Sequence, residues 1–361
     1  MKVLSFFAAA LFVTLAAPAH AGVYYLIETV LDGSHVEPPS NSPAVMTVKA
    51  KCGPPPLVAL EIELRDLVGE PLVIYCQPAI DVLPHPEACL ITGITPQQAR
   101  DEGVPEYEFA RQIDELFSVP QTCVAGYNSI RFDDEVTRHL LYRNFHEVYL
   151  REWRGGNSRW DLIDVVRLWH ALRPEGLQWP VGDNGATSFK LERLSKANGL
   201  VHEKAHDALS DVDATIAVAK RLKTAQPRLY EHALKLRDKK FAATLLNVHE
   251  MAPVVHVSSK IPAARGCMAL IVPIAMHPTN SNCVLTFDLS GEVDDLLALD
   301  ADDIRDRVFA SGDDLPEGVE RLPLKGVHLN KSPMLSPLAT ATSASSGGRN
   351  ALKRFLSMAF M

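Results

Sequence analysis

Three side chains decide what chemistry this chain can offer. Asp133 closes the run Gly126-Tyr127-Asn128-Ser129-Ile130-Arg131-Phe132-Asp133, and His206 and Asp211 stand in Ala205-His206-Asp207-Ala208-Leu209-Ser210-Asp211. Carboxylates are the oxygen donors that a hard divalent cation prefers. Two such ions about 3.5–4 Å apart clamp the attacking and leaving oxygens of a phosphodiester. A histidine, whose ordinary pKa lies near neutrality, can take the proton of the attacking water. Asp133 and Asp211 are therefore candidate metal ligands, and His206 is the candidate general base. His206 and Asp211 lie five apart, roughly 500° of helical rotation, so both reach one site only if His206 sits at the first turn of the helix or in the loop before it. A plainer reading stands beside this one. Asp207, Asp211 and Asp213 suit a solvated helix start, and Asp134 and Glu135 make Asp133 part of an acidic helix N-terminus that needs no function.

These residues need elements to hold them. Cys123-Val124-Ala125-Gly126-Tyr127 reads as a short buried strand ending in a turn. Asp133 then opens a helix to Phe145, at the strand edge where α/β sheets place ligands. Asn128 and Phe132, in that turn, are candidate substrate contacts. Ala205 to Leu222 reads as a long helix with Ala208, Val212, Ile216, Ala217 and Leu222 along one side. Upstream, Val58 to Leu64 alternates like a half-buried strand. Gly69-Glu70-Pro71 turns into a second strand, Leu72 to Cys76, and the two should form a hairpin. Thr95-Pro96-Gln97-Gln98 is a helix start with a Thr cap, Pro at the first position and Gln at the third. Glu106 to Phe117 is amphipathic, Trp160-Asp161 opens a helix through Leu172, and Phe189 to Ala197 is another. Strands followed by mixed helices and strands imply an α/β layered domain.

After Pro227 the runs Val254 to Val257, Met268 to Ile274, Cys283 to Leu289 and Gly326 to Leu329 are short and β-rich. With a helical insertion at Asp302 to Ala310, they imply a small barrel or sandwich. Five segments result: a signal-like apolar segment 1–21, an irregular stretch 22–56 in which Tyr24 to Val30 reads as a strand, the α/β domain 57–226, the β-rich domain 227–338 and a low-complexity tail 339–361.

The 361 residues, 47% apolar and 22% charged, carry a net charge of −8. No global basic field draws in nucleic acid, which disfavours a DNA-coating protein. Phosphate binding must come from local cations or from metal ions held by carboxylates. The six cysteines show no metal spacing and read as buried free thiols, which fits a reducing compartment. Met1-Lys2, the apolar run to Ala17 and Pro18-Ala19-His20-Ala21 have the form of a secretory signal. No later run is long enough to cross a membrane.

Taken together, Gly-Tyr-Asn-x-x-x-Phe-Asp and the downstream Ala-His-Asp-Ala-x-x-Asp-Val-x-Ala-Thr resemble the DEDDh-type 3′→5′ exonucleases. Further blocks in order narrow this: Gly69-Glu70-Pro71, Tyr75-Cys76-Gln77-Pro78, Leu90 to Pro96, Asn157 to Leu162, Ala171 to Gly176, Phe189-Lys190-Leu191-Glu192 and Val254 to Ser258. The chain from about Ile62 to about Leu338 is similar to the bacterial exodeoxyribonuclease I family. That resemblance implies a ribonuclease H-like exonuclease domain, an SH3-like β domain and a helical C-terminal domain. It also implies Mg²⁺-dependent (or Mn²⁺-dependent) release of mononucleotides from the 3′ end of single-stranded DNA in repair and recombination. By the same resemblance Asp133 and Asp211 would bind metal, His206 would be the base, and Thr92 and Gly93 would lie where the 3′ nucleotide docks. A monomer in the cytoplasm is implied, with single-stranded DNA-binding protein as a partner and no membrane.

The family's first motif, Asp-x-Glu-Thr, should lie near Ser40 to Ser42, where the chain reads Pro39-Ser40-Asn41-Ser42-Pro43. The nearest look-alike, Tyr25-Leu26-Ile27-Glu28-Thr29, has Leu26 where Asp belongs and comes early. Glu61-Ile62-Glu63 has the right spacing on the wrong strand and reads as a decoy. After Leu338 the family's helical pattern gives way to the tail. Abrupt loss at both ends suggests a reading frame that differs from the ancestral one there. Two alternative readings follow: a catalytically impaired single-strand-binding relative, and an exported nuclease acting in the periplasm.

Overall fold

In the computed structural model the described residues are 72–78, 94–183, 185–200, 208–309 and 321–342, with short segments at 9–13, 21–26, 29–31, 49–51 and 62–63 and isolated positions at 86, 89, 315 and 319. They fall into two compact units.

The first unit is built on a five-stranded mixed sheet in the order Ile62–Glu63, Lys49–Lys51, Ala21–Leu26, Thr122–Gly126, Ser158–Asp161. Thr122–Gly126 runs parallel to both its neighbours, while the strands on the far side of Ala21–Leu26 pair antiparallel. A strand covered on both faces reads as a continuous apolar run rather than an alternating one. Thr122–Gly126 is accordingly buried along its whole length. A second, three-stranded antiparallel sheet sets Ala9–Val13 between Thr29–Leu31 and Leu72–Tyr75.

Local signals place the helices. Thr95 caps the helix Pro96–Glu102 by accepting the Gln98 N–H, and the Gln98 side chain accepts the Thr95 N–H in return. The helix Glu106–Phe117 buries Phe109, Ala110, Ile113 and Phe117, one stripe of an α-helical period. That stripe packs with Ile74, Cys76, Val124 and Leu140 into one core cluster. Asn157 joins strand, helix and loop: its amide oxygen accepts the Thr122 N–H, and its amide nitrogen donates to the Phe117 and Arg151 carbonyls. Trp160 is 4% exposed and meets Tyr230 edge to face, so it is a core residue.

The second unit holds a five-stranded antiparallel sheet in the order Leu324–His328, Cys283–Asp288, Met268–Met276, Val254–Val257, Met334–Pro337. The long strand shifts register between Pro273 and Ala275, as expected where a proline has no N–H to give the ladder. Helices Val293–Ala298 and Ala301–Phe309 follow the strand Cys283–Asp288. The fold is thus a mixed α/β domain followed by an antiparallel β domain.

Four expectations change. The hairpin between Val58–Leu64 and Leu72–Cys76 does not form: Ile62–Glu63 pairs with Lys49–Lys51, and Leu72–Tyr75 pairs with Ala9–Val13 in the other sheet. In the stretch 22–56 the strand expected at Tyr24 to Val30 is divided between Ala21–Leu26 and Thr29–Leu31, which join different sheets, and Lys49–Lys51 adds a strand that was not expected. Trp160 and Asp161 end a strand, and the helix begins at Leu162. The helix through Asp211 runs Ala208–Ala225, with Ala214, Thr215, Val218 and Ala219 also buried, so its covered face is wider than one stripe. Cys76, Cys123, Cys267 and Cys283 are buried free thiols and Cys89 is half-buried. No described helix is long and apolar enough to cross a membrane.

Candidate active site

The strand Thr122–Gly126 delivers the chain to a tight loop, Tyr127 to Phe132, and the loop delivers it to the helix Asp133–Arg143. Asn128 sits at φ 68°, a left-handed conformation that asparagine tolerates better than most residues. Its carbonyl accepts the N–H groups of Arg131 and Phe132, both at 3.2 Å. The Tyr127 hydroxyl donates to the Phe189 carbonyl at 2.6 Å.

Asp161, at the end of the neighbouring strand and 1% exposed, reaches into this loop. Its Oδ1 accepts the N–H of Asn128 at 2.8 Å and of Ile163 at 3.2 Å, and its Oδ2 accepts the N–H of Ile130 at 3.2 Å. Arg131 Nη1 lies 3.6 Å from the same Oδ2. Sequence reasoning missed this function of Asp161. The only signal was an Asp closing a buried strand, and its partners are backbone amides that no spacing reveals.

At the head of the helix three acidic residues follow in line, and the structure separates them. Asp134 is buried and bound by Arg151 Nη2 at 3.0 Å and Arg159 Nη1 at 2.6 Å. Burial alone would raise its carboxyl, but Arg159 and Arg151 outweigh that and hold it below the usual carboxylate range. Glu135 pairs with Arg138, which also holds Glu152 at 2.8 Å, and Arg159 Nη2 meets Glu152 at 3.1 Å. Burial works against the Arg138 charge, yet Glu152, Asp134 and Glu135 keep its guanidinium firmly protonated. Asp134 and Glu135 are therefore structural members of an arginine–carboxylate network. Asp133 is 3% exposed, in the first turn of the same helix. Its backbone carbonyl accepts the Thr137 hydroxyl at 2.7 Å.

Asp211 is 8% exposed in the first turn of its own helix. Both candidate carboxylates thus stand at helix N-termini, where the backbone N–H groups favour negative charge. Phe132 is 42% exposed at the cap of the Asp133 helix, and Asn128 is half-buried. His206, Thr92, Gly93 and Glu28 lie outside the described residues. The strand Ala21–Leu26, two residues short of Glu28, pairs in parallel with Thr122–Gly126 and sets Leu26 opposite Ala125. The strand carrying Glu63 is at the sheet's edge, three positions from Thr122–Gly126, on the order of 14 Å at the usual strand spacing. That distance suits its reading as a decoy.

Two buried, oxygen-donating carboxylates suit a hard divalent cation in kind. Among the described residues no group of three or more His, Cys, Asp or Glu is placed to hold a metal ion. Of the expected metal site and base, Asp133 and Asp211 are the residues that fall among the described ones.

Comparison with known proteins gives two family matches. Residues 56–219 match the "Exonuclease" family model, and residues 237–348 match the "Exonuclease I SH3-like domain". Exodeoxyribonuclease I of Escherichia coli (strain K12) is 50% identical over 275 residues, 76% of this chain and 58% of that protein. The chain thus spans about three fifths of the length of that relative. A moderately thermophilic exonuclease I from Methylocaldum szegediense matches with TM-score 0.76 and 52% identity, covering 81% of this chain and 62% of that one. E. coli exonuclease I in complex with a dA16 oligonucleotide matches with TM-score 0.74 and 47% identity, over 81% and 63%. A zinc-bound form of the E. coli ExoI–ssDNA complex and an ExoI/SSB-Ct complex each match with TM-score 0.72 over 81% and 64%, at 47% and 46% identity.

Proposed function

The chain is a homologue of exodeoxyribonuclease I across an exonuclease domain and an SH3-like domain, and from that premise we propose that it degrades single-stranded DNA from the 3′ end to mononucleotides. The work is that of DNA repair and recombination. The hydrolytic residues belong to the domain 57–226, and 227–338 is the SH3-like domain. The observation that carries this reading is the placement of two buried carboxylates, Asp133 and Asp211, each in the first turn of its helix.

Asp133 and Asp211 would hold Mg²⁺ or Mn²⁺ in this scheme. Bound there, the cation would lower the pKa of a water and neutralise charge on the departing oxygen. His206 takes the proton from the attacking water. Asn128 and Phe132, in the loop that precedes Asp133, meet the substrate, Phe132 offering an exposed ring to a terminal base, with Thr92 and Gly93 docking the 3′ nucleotide. Single-stranded DNA-binding protein is the proposed partner, on the strength of the ExoI/SSB-Ct complex. The working form is a monomer, in the cytoplasm.

A digestion assay on single-stranded DNA with Mg²⁺, comparing 3′- and 5′-end labels, tests the proposal. Mononucleotides should appear first from the 3′ label, and His206→Ala should slow the reaction by about 10²–10⁴-fold. A second reading, a single-strand-binding relative without activity, is favoured by one observation: Leu26 stands where the resemblance expects an Asp. Binding without cleavage would decide for that reading.

A further inference from the structure

We propose that Asp161 is the positioning residue of this site: it fixes the loop from which Asp133 is presented. The inference rests on Asp133 being a metal ligand. Within the loop the Asn128 carbonyl accepts the Arg131 and Phe132 amides and the Ser129 carbonyl accepts the Asp134 amide, bonds that join the loop to its own helix. What closes it is one buried carboxylate accepting N–H groups from Asn128, Ile130 and Ile163. These donors come from the loop that precedes Asp133 and from the first turn of the helix that follows Asp161. A shift of the Asp161 carboxylate therefore moves the base of the Asp133 helix relative to the strand Ser158–Asp161. Asp161 touches neither water nor phosphate in this scheme; it acts through Asp133.

The isosteric change Asp161→Asn separates this role from simple packing. It keeps the shape and one acceptor oxygen but turns an N–H₂ toward the Ile130 or the Asn128 amide, so a donor faces a donor. Groups that orient a metal ligand typically contribute 10–100-fold to metal affinity, and a residue acting through a ligand should not add to that ligand's own loss.

The experiment is calorimetric titration of the full chain with Mn²⁺ alone, on wild type, Asp161→Asn, Asp133→Asn and the double variant, with thermal unfolding on the same samples. Asp161→Asn should remain folded and bind Mn²⁺ about 10–100-fold more weakly, and the double variant should match Asp133→Asn. Wild-type Mn²⁺ affinity in a folded Asp161→Asn protein, or full additivity in the double variant, overturns the proposal while leaving the nuclease reading intact. Absence of Mn²⁺ binding by wild type overturns both. Should Asp161→Asn fail to fold, amide hydrogen exchange on wild type decides. The Asn128 and Ile130 amides should be protected and become more so when Mn²⁺ binds; protection indifferent to Mn²⁺ overturns the coupling.

Discussion

Neighbouring aspartates in one helical turn are expected to fail in opposite ways. Asp134→Asn leaves Arg151 and Arg159 buried without their carboxylate, and breaking such a pair costs about 3–5 kcal/mol. Asp133→Asn, at a proposed metal ligand, should lower kcat/KM by at least about 100-fold, or about 2.7 kcal/mol of transition-state stabilisation, with a smaller loss of Tm than Asp134→Asn by calorimetry. Equal loss of stability in both variants would show that Asp133 is only another member of the arginine network. The sign of the pH dependence follows from the lowered carboxyl of Asp134. Its stabilising contribution is present above the ordinary Asp pKa of about 3.9 and disappears as pH falls through the lower folded value. Wild type and Asp134→Asn should therefore converge in stability only in strong acid. The candidate ligands were legible from residue type and motif order. The arginine partners of Asp134 were not, because Arg151 and Arg159 are brought to it by elements 17 and 25 residues away.

Where hydrogen bonds are local, the elements followed directly from sequence. Thr95-Pro96-Gln97-Gln98 encodes its own cap, and Glu106–Phe117 carries its burial in its period. Pairing was not legible in the same way. Leu72–Tyr75 joins Ala9–Val13 some 60 positions away, and no turn signal competes with a partner that far off. The strand Met334–Pro337 escaped notice because its proline argues against a sheet, yet it lies at the edge, where a missing N–H is tolerated. This edge strand also has a measurable consequence. His256, buried on the adjacent strand, gives Nδ1 to the Met334 carbonyl at 3.2 Å. Burial, with the Lys325 charge adding to it, holds His256 down to about 3. The unfolded chain then takes up a proton that the folded chain refuses between about pH 6.5 and the lowered value, so stability falls with acidity across that window. The expected slope from this one residue is about 1.4 kcal/mol per pH unit. In His256→Gln, denaturant midpoints between pH 6 and pH 4 should flatten by that amount; an unchanged slope would place the acid sensitivity elsewhere.

At the scale of the whole molecule, charge governs how the chain would meet the single-stranded DNA proposed as its substrate. A net −8 gives no long-range attraction for a polyanion, so affinity for single-stranded DNA has to arise from short-range contacts and from cations held by carboxylates. Each phosphate neutralised by Lys or Arg contributes about −0.7 to the slope of log K against log salt for a single strand. For a net acidic chain that neutralises about three phosphates with local Lys and Arg, a slope of roughly −2 is expected. Adding Mg²⁺ at constant ionic strength should strengthen binding to the His206→Ala chain, because a cation beside Asp133 and Asp211 converts local repulsion into attraction. Fluorescence anisotropy with a short oligonucleotide measures both quantities. A slope steeper than about −5 would require a basic tract that dominates binding. Affinity indifferent to Mg²⁺ would separate DNA binding from the two carboxylates and favour the binding-only reading.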